Sequence, residues 1–260
     1  MKQITTGIML GMGVVLALPV CAQTPQMLSY TPQKGSTVYY QGNLVINTGK
    51  SELTISQGYH VTVSAVHKDG SFDETLTYDK YNMKTDQGSQ PLPTPPPLNL
   101  SYDSTGQMED KTVIPTDPSM DAGIAKILMI TTRPILSSKP VSPGDKWTTT
   151  IDDPEVKGQK ITVEDTFVKQ STHAGQPVWK VKQKVSAPVS ADGTVFSSKN
   201  TFVMDAKTGG LIMDTGHISN LVTLYGNLSA DITLIRIPAP GAPGTQDPGK
   251  SNTSTQTTGK

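Results

Sequence analysis

Four histidines, a single cysteine and two short runs of carboxylates are the groups in this chain whose types could do chemistry. His60, His67, His173 and His217 never stand four apart with a glutamate between them, so the helical zinc-hydrolase pattern is absent. His60 and His67 can approach each other across a hairpin, but an imidazole on a solvated strand face is the simpler reading. Asp152-Asp153-Pro154-Glu155 and Glu164-Asp165 would suit glycoside hydrolysis if they faced one another across a cleft. The Asp-Asp-Pro run reads more simply as the solvated opening of a turn, and the regular Asp/Asn spacing of a calcium loop is missing. Neither a G-x-S-x-G elbow nor a phosphate loop or dinucleotide fingerprint occurs. A serine or threonine nucleophile stays open, because a triad is defined in space rather than along the chain. No catalytic, cofactor-binding or metal-ligating residue is assigned on these grounds.

Charge narrows the partners. Lys+Arg and Asp+Glu balance at 22 each, which gives no electrostatic drive toward nucleic acid. Lys180, Lys182 and Lys184 form a basic ladder without interleaved aromatics, the pattern of a solubilising or edge-protecting strand face. At the N-terminus a basic Met1-Lys2 start precedes an apolar run from Ile8 to Val20, and Val20-Cys21-Ala22 offers small residues before Gln23. This is the layout of a secretory signal cleaved between Ala22 and Gln23. The apolar run is short for a bilayer span and no stop-transfer segment follows it. A lipoprotein signal also ends at a cysteine, but bulky Val20 fits poorly before Cys21. Cleavage after Ala22 removes the one cysteine, so the mature chain has no disulfide and no thiolate ligand. The expected product is exported (periplasmic, secreted or on the surface) with no lipid anchor and no transmembrane segment.

The elements that would position any site are strands. Tyr59, Val61, Val63 and Ala65 alternate with His60, Thr62 and Ser64, and Trp179, Val181 and Val185 alternate with the lysines. Near the end Val222, Leu224, Leu228, Ala230, Ile232 and Leu234 share one face of what reads as a long strand, with Gly226 as a bend. One apolar and one polar face per strand predicts antiparallel sheet. Lys68-Asp69-Gly70-Ser71 and Ala191-Asp192-Gly193-Thr194 are Asp-Gly hairpin signals. A helix around 119–132 is expected from a Ser119 cap and from Ile124, Ile127 and Leu128 on one side, with Pro134 bounding its exit. Pro91 to Pro97 reads as an extended surface loop. Pro238 to Lys260 lacks an apolar period and reads as a disordered tail. The domains are therefore 1–22 leader, 23–237 β-rich domain and 238–260 tail.

Two stretches read alike. Val61 to Tyr78 followed by Asp103-Ser104-Thr105-Gly106, and Val181 to Phe202 followed by Asp205-Ala206-Lys207-Thr208-Gly209, share an order of strand, Asp-Gly turn, strand and Asp-to-Gly turn. They are either similar meanders or hairpins that share only turn chemistry. The segment Pro140-Val141-Ser142-Pro143-Gly144-Asp145-Lys146-Trp147 together with the Asp205–Gly209 turn resembles an uncharacterised family of exported bacterial β-rich proteins. Its layout is also similar to half-barrel lipoprotein-carrier and lipid-binding envelope proteins. The resemblance implies a curved antiparallel sheet or half-barrel wrapped on a helix, and it transfers no catalytic residue. Read from its residues alone, Pro143-Gly144-Asp145 is a tight turn that feeds Trp147 into the core. The fold class is thus mainly β (α+β). The expected function is a non-catalytic envelope module that binds or carries a lipid, a lipoprotein or another envelope protein. Val222, Leu224, Leu228, Ile232 and Leu234 are its candidate hydrophobic face. A structural surface or matrix protein and a hydrolase with an unrecognised site are the alternatives.

Overall fold

Strict alternation gives each strand one face for water and one for a core, and the computed structural model resolves that pattern into a single open sheet. It describes residues 24–49, 51–109, 112, 127–153, 158–188, 193–223 and 226–241. Eleven strands follow in chain order: β1 Thr37–Asn47, β2 Glu52–Val66, β3 Phe72–Thr85, β4 Gly88–Pro91, β5 Leu98–Tyr102, β6 Lys146–Asp152, β7 Lys160–His173, β8 Gln176–Pro188, β9 Val195–Asp205, β10 Leu211–Thr223 and β11 Gly226–Ile237. Their lateral order is β4-β3-β2-β1-β11-β10-β9-β8-β7-β6, with β5 also on β3. Every pairing of these strands is antiparallel, and the first and last of them meet where β1 pairs with β11. The chain adopts the expected β class and antiparallel sheet, and the sheet does not close into a barrel. Among the described residues no helix is long and apolar enough to cross a membrane. Of the expected tail, 238–241 belong to the described residues and the rest lies outside them.

The sheet must curl. Strands lie about 4.8 Å apart, so β3 and β8, six steps apart in the lateral order, would be about 29 Å apart if flat. Yet Arg133 bonds Glu74 of β3 with its side chain and accepts from Gln183 of β8 with its carbonyl. Phe72 and Leu100 from one flank likewise share a buried cluster with Ile161 and Val185 from the other. The polypeptide from 127 to 136 is the strap that both flanks close upon. It begins as one helical turn, 127–130, with Ile127 and Ile130 buried. Of the helix expected around 119–132, the described residues show only this turn, and 131–132 already leave it as a turn; residues 119–126 lie outside the described residues.

The turns follow their residue chemistry. Asp69 accepts from the Ser71 amide at 3.0 Å and the Ser71 hydroxyl at 2.7 Å, while Gly70 takes φ +86°. Gly193 takes φ +88° in the second Asp-Gly connection, whose Asp192 lies outside the described residues. Pro91 ends β4, and Leu92 to Pro97 form the extended loop that separates β4 from β5. Both short strands pair with β3, so the prolines interrupt what would otherwise be one strand. Around Pro143 the Ser142 amide donates to Asp145 at 2.7 Å, Gly144 takes φ +95°, and Trp147 then donates to the Ile135 carbonyl at 2.6 Å.

One expectation is corrected. The long strand from Val222 to Leu234 is a hairpin: β10 ends at Thr223 and β11 begins at Gly226, with Val222 opposite Asn227 and Leu221 opposite Leu228. Gly226 and Asn227 thus serve a reversal rather than a bend. Asn220, at φ 58°, forms the bulge before it and donates to the Val195 carbonyl at 2.8 Å. The bulge absorbs the residue that would otherwise turn Leu221 away from the core.

The two similar stretches continue one sheet, the first in β2, β3 and β5, the second in β8, β9 and β10. Their Asp-to-Gly turns converge on one side chain. A Cβ on Gly106 (φ +85°) would overlap the Tyr30 ring, and one on Gly209 (φ +69°) would lie 2.5 Å from the Ser29 carbonyl and 3.1 Å from Tyr30. Gly175, at φ +80°, has open space around it. Alanine there is expected to cost only the backbone penalty of about 1–2 kcal/mol. Gly106→Ala and Gly209→Ala should each cost clearly more, measured by urea unfolding; equal costs at all three sites would refute the clamp on Tyr30.

Candidate functional site

Between the strap and the β1–β3 flank lies a cavity of about 280 Å³. Alternation builds its wall. Val38 and Tyr40 on β1, Tyr59, Val61 and Val63 on β2, and Leu76 and Tyr78 on β3 are all inner-face positions, and all line it. Tyr40 is opposite Tyr59, and Tyr59 is opposite Tyr78, with ring centroids 5.4 and 5.8 Å apart. Tyr30 and Tyr102 complete the wall, so five of the chain's eight tyrosines surround this space. Burial holds the Tyr40, Tyr78 and Tyr102 hydroxyls up at about 12 and those of Tyr30 and Tyr59 well above the usual tyrosine value. The wall therefore presents neutral rings and hydroxyls at any physiological pH.

One ion pair sits in this apolar wall. Arg133 reaches Glu74 at 2.5 Å, and its guanidinium lies 4.0 Å from the centre of the Tyr102 ring and 5.5 Å from those of Tyr30 and Phe72. Burial lowers the Arg133 pKa, but Glu74 and the surrounding tyrosines outweigh it and hold the group above its ordinary value. The pair is neutral as a unit, with stacked faces that satisfy the cation.

Polar side chains from the other flank place Arg133. Asp165 (β7), Gln183 (β8) and Asn200 (β9) are consecutive cross-strand partners on the inner face, and Asn200 is opposite Gly216 (β10). Asn200 donates to the Thr131 carbonyl at 3.1 Å and Gln183 to the Arg133 carbonyl at 3.2 Å. Tyr30 donates to the Pro134 carbonyl at 2.7 Å, and Trp147 to that of Ile135. The strap thus carries no sheet ladder, but side chains from outside it satisfy four of its carbonyls, each bond worth about 1 kcal/mol net, and its own Thr131 and Thr132 hydroxyls satisfy those of Leu128 and Met129. Gly216 makes room: a Cβ there would meet the Asn200 amide at 2.7 Å.

Two carboxyls are buried beneath the strap. Asp214 accepts from Asn200 at 3.0 and 3.3 Å, and burial raises its pKa to about 7, partly offset by that bond. Asp165 is completely buried and its pKa is pushed well above the usual carboxylate range by desolvation. The Ile135 amide and Gln183 lie beside it and oppose that rise, but neither closes hydrogen-bond geometry on its oxygens. Gln183 Oε1 lacks a donor as well.

The other candidate residues scatter. Leu228, Ile232 and Leu234 pack into the principal core from β11 but are not on the cavity wall. Val222 is described only by its register, and Leu224, Ala22 and Gln23 lie outside the described residues. Asp152 is exposed and paired with Lys160; Glu155 lies outside the described residues. Glu164 faces outward, 3.7 Å from Lys184, while its neighbour Asp165 faces the core, so this pair is split by the sheet. His60, His67 and His217 each pair with an aspartate across a hairpin, Asp79, Asp73 and Asp231, at 2.7–2.9 Å on the solvated surface. His173 is exposed at the end of β7. Among the described residues no group of three or more His, Cys, Asp or Glu could hold a metal ion. The cavity wall, Arg133 and Asp214 were missed by sequence reading. The available signal was tyrosine placement: Tyr40, Tyr59 and Tyr78 are all inward positions of the first three strands.

No protein-family model and no curated protein matches the chain. Among solved structures it is similar to one described as lipid–protein interactions in lipovitellin, at 12% identity and TM-score 0.46, over 82% of this chain and 26% of that one. This chain therefore spans about a quarter of the length of that one. It is also similar to an exported Bacteroides fragilis protein with a YmcC-like fold (13% identity, TM-score 0.35, 82% of this chain and 100% of that one). The hypothetical lipoprotein YmcC from Escherichia coli gives 15% identity and TM-score 0.29, over 78% of this chain and 85% of that one.

Proposed function

We propose that this protein is an exported, non-catalytic binding or carrier module of the cell envelope that holds a hydrophobic ligand, such as a lipid or the acyl part of a lipoprotein, in its tyrosine-lined cavity. One observation carries the reading: a preformed apolar space whose wall, among the described residues, contains no histidine or cysteine and whose acids are both engaged, Glu74 by Arg133 and Asp205 by the amides of its own turn. Such a wall suits retention of an apolar group and offers no evident general base. Its volume is that of roughly nine waters at ~30 Å³ each, which suits one short chain rather than a diacyl lipid in full. Export rests on the leader, with cleavage between Ala22 and Gln23, and membership of the exported β-rich family rests on the Pro140–Trp147 segment.

Calorimetric titration with decanol, a neutral apolar probe, tests the pocket. The full chain is expected to bind it, and Val61→Trp, which fills the cavity from its wall, should abolish binding while circular dichroism stays β-like. No binding by the parent chain, or unchanged binding by the folded variant, would remove the reading.

A further inference from the structure

The cavity has a chemically distinct mouth. Thr31, Gln33, Thr208 and Arg236 line it and are exposed. Arg236 stands on β11 directly opposite Tyr40 of β1, so the inward face of the sheet delivers it to the rim where the tyrosine row begins. Its charge acts on the Tyr40 hydroxyl. The two cations of the lining differ in kind. Arg133 is deep, bonded to Glu74 and stacked on aromatic faces, so its charge is answered within the wall. Arg236 makes no ion pair among the described residues. Asp205, the remaining acid of the lining, accepts from the Lys207 and Thr208 amides at 2.7 and 3.2 Å and is held in its turn.

A largely apolar, partly open cavity with a guanidinium at its mouth that has no ion pair among the described residues selects for polarity at one end of a ligand only. Guanidinium is also the side chain best suited to clasp a carboxylate or phosphate. Resting on the binding function proposed above, we infer that the occupant is a single-chain amphiphile with an anionic head, its chain among the tyrosines and its head on Arg236. A carboxylate and a phosphate monoester share this chemistry. A chain of about ten heavy atoms fills the space if each takes about a water's share of volume.

The test compares decanoate, decyl phosphate, decanol and decyltrimethylammonium by calorimetry at low salt. Decanoate or decyl phosphate should bind about fivefold tighter than decanol, the scale of a half-solvated ion pair, and the cationic probe weaker than either. Arg236→Gln should remove the anion's advantage and leave decanol affinity unchanged, and Arg236→Lys should restore part of it. A preference between carboxylate and phosphate identifies the source of the head. If decanol binds as well as both anions, or Arg236→Gln weakens decanol equally, the head assignment is overturned while the pocket reading stands. If none of the four binds, the pocket reading itself has failed.

Discussion

Arg133→Met is expected to destabilise the fold by about 3 kcal/mol, because it leaves Glu74 without its cation in an apolar wall. The side chains of Arg133 and Glu74 are only 20% and 10% exposed, so water does little to compensate for a lost partner. The variant also loses the guanidinium lying over Tyr102, a contact worth up to about 2 kcal/mol when desolvated. Glu74→Leu combined with Arg133→Met should recover much of the loss, since an apolar pair of similar volume avoids the desolvation penalty. Urea unfolding of the two single variants and the double variant closes the cycle. Additive costs would mean that the two groups do not stabilise one another. The strap's carbonyl bonds to Gln183 and Asn200 do not involve the Arg133 side chain, so the double variant should keep the strap in place.

Stability is expected to fall as pH rises from about 4 to about 7, and Asp214 to supply much of that slope. Its folded-state pKa is raised from the usual 3.8 to about 7. Across that interval the folded chain holds a proton that the unfolded chain releases. Stability is therefore complete below the unfolded value and is lost as pH climbs through the folded one. Each pH unit is worth about 1.4 kcal/mol, so Asp214 withdraws on the order of 4 kcal/mol by neutrality. Asp165 acts in the same direction. Asp214→Asn keeps an acceptor for the Asn200 amide and has no charge to desolvate. It should match the parent near pH 4 and exceed it by up to about 4 kcal/mol at about pH 8. Thermal unfolding of both chains across that range reads the difference, and a gap that does not vary with pH would refute the assignment.

What the two flanks contribute explains why the site was harder to read than the fold. Strand existence follows from local sequence. Residues 59 to 65 and 179 to 185 alternate, Asp-Gly turns stand between strands, and Gly144 and Asp145 close a turn wherever that segment sits. The error at Val222 to Leu234 was also local: both strands of a hairpin carry alternation, and the reversal between Thr223 and Gly226 has no Asn-Gly or Asp-Gly signature. The site depends on long-range approach. Tyr30 meets glycines 76 and 179 positions onward in the chain, Gly106 and Gly209, and Arg133 meets Glu74 59 positions back. Glu164 and Asp165 look like one acidic pair in sequence, yet the pleat sends one to Lys184 and the other under the strap.

Residue order alone dictates the β class, the antiparallel pairing by hairpins, the looped prolines and the side of each strand that faces the core, because period and turn chemistry act within a few residues. It took the folded chain to reveal that the sheet curls far enough for β3 and β8 to share Arg133, and that five tyrosines enclose a space instead of merely packing. Curl is set by how the strap fills the gap between flanks, and that packing joins residues too distant along the chain for any local pattern to record.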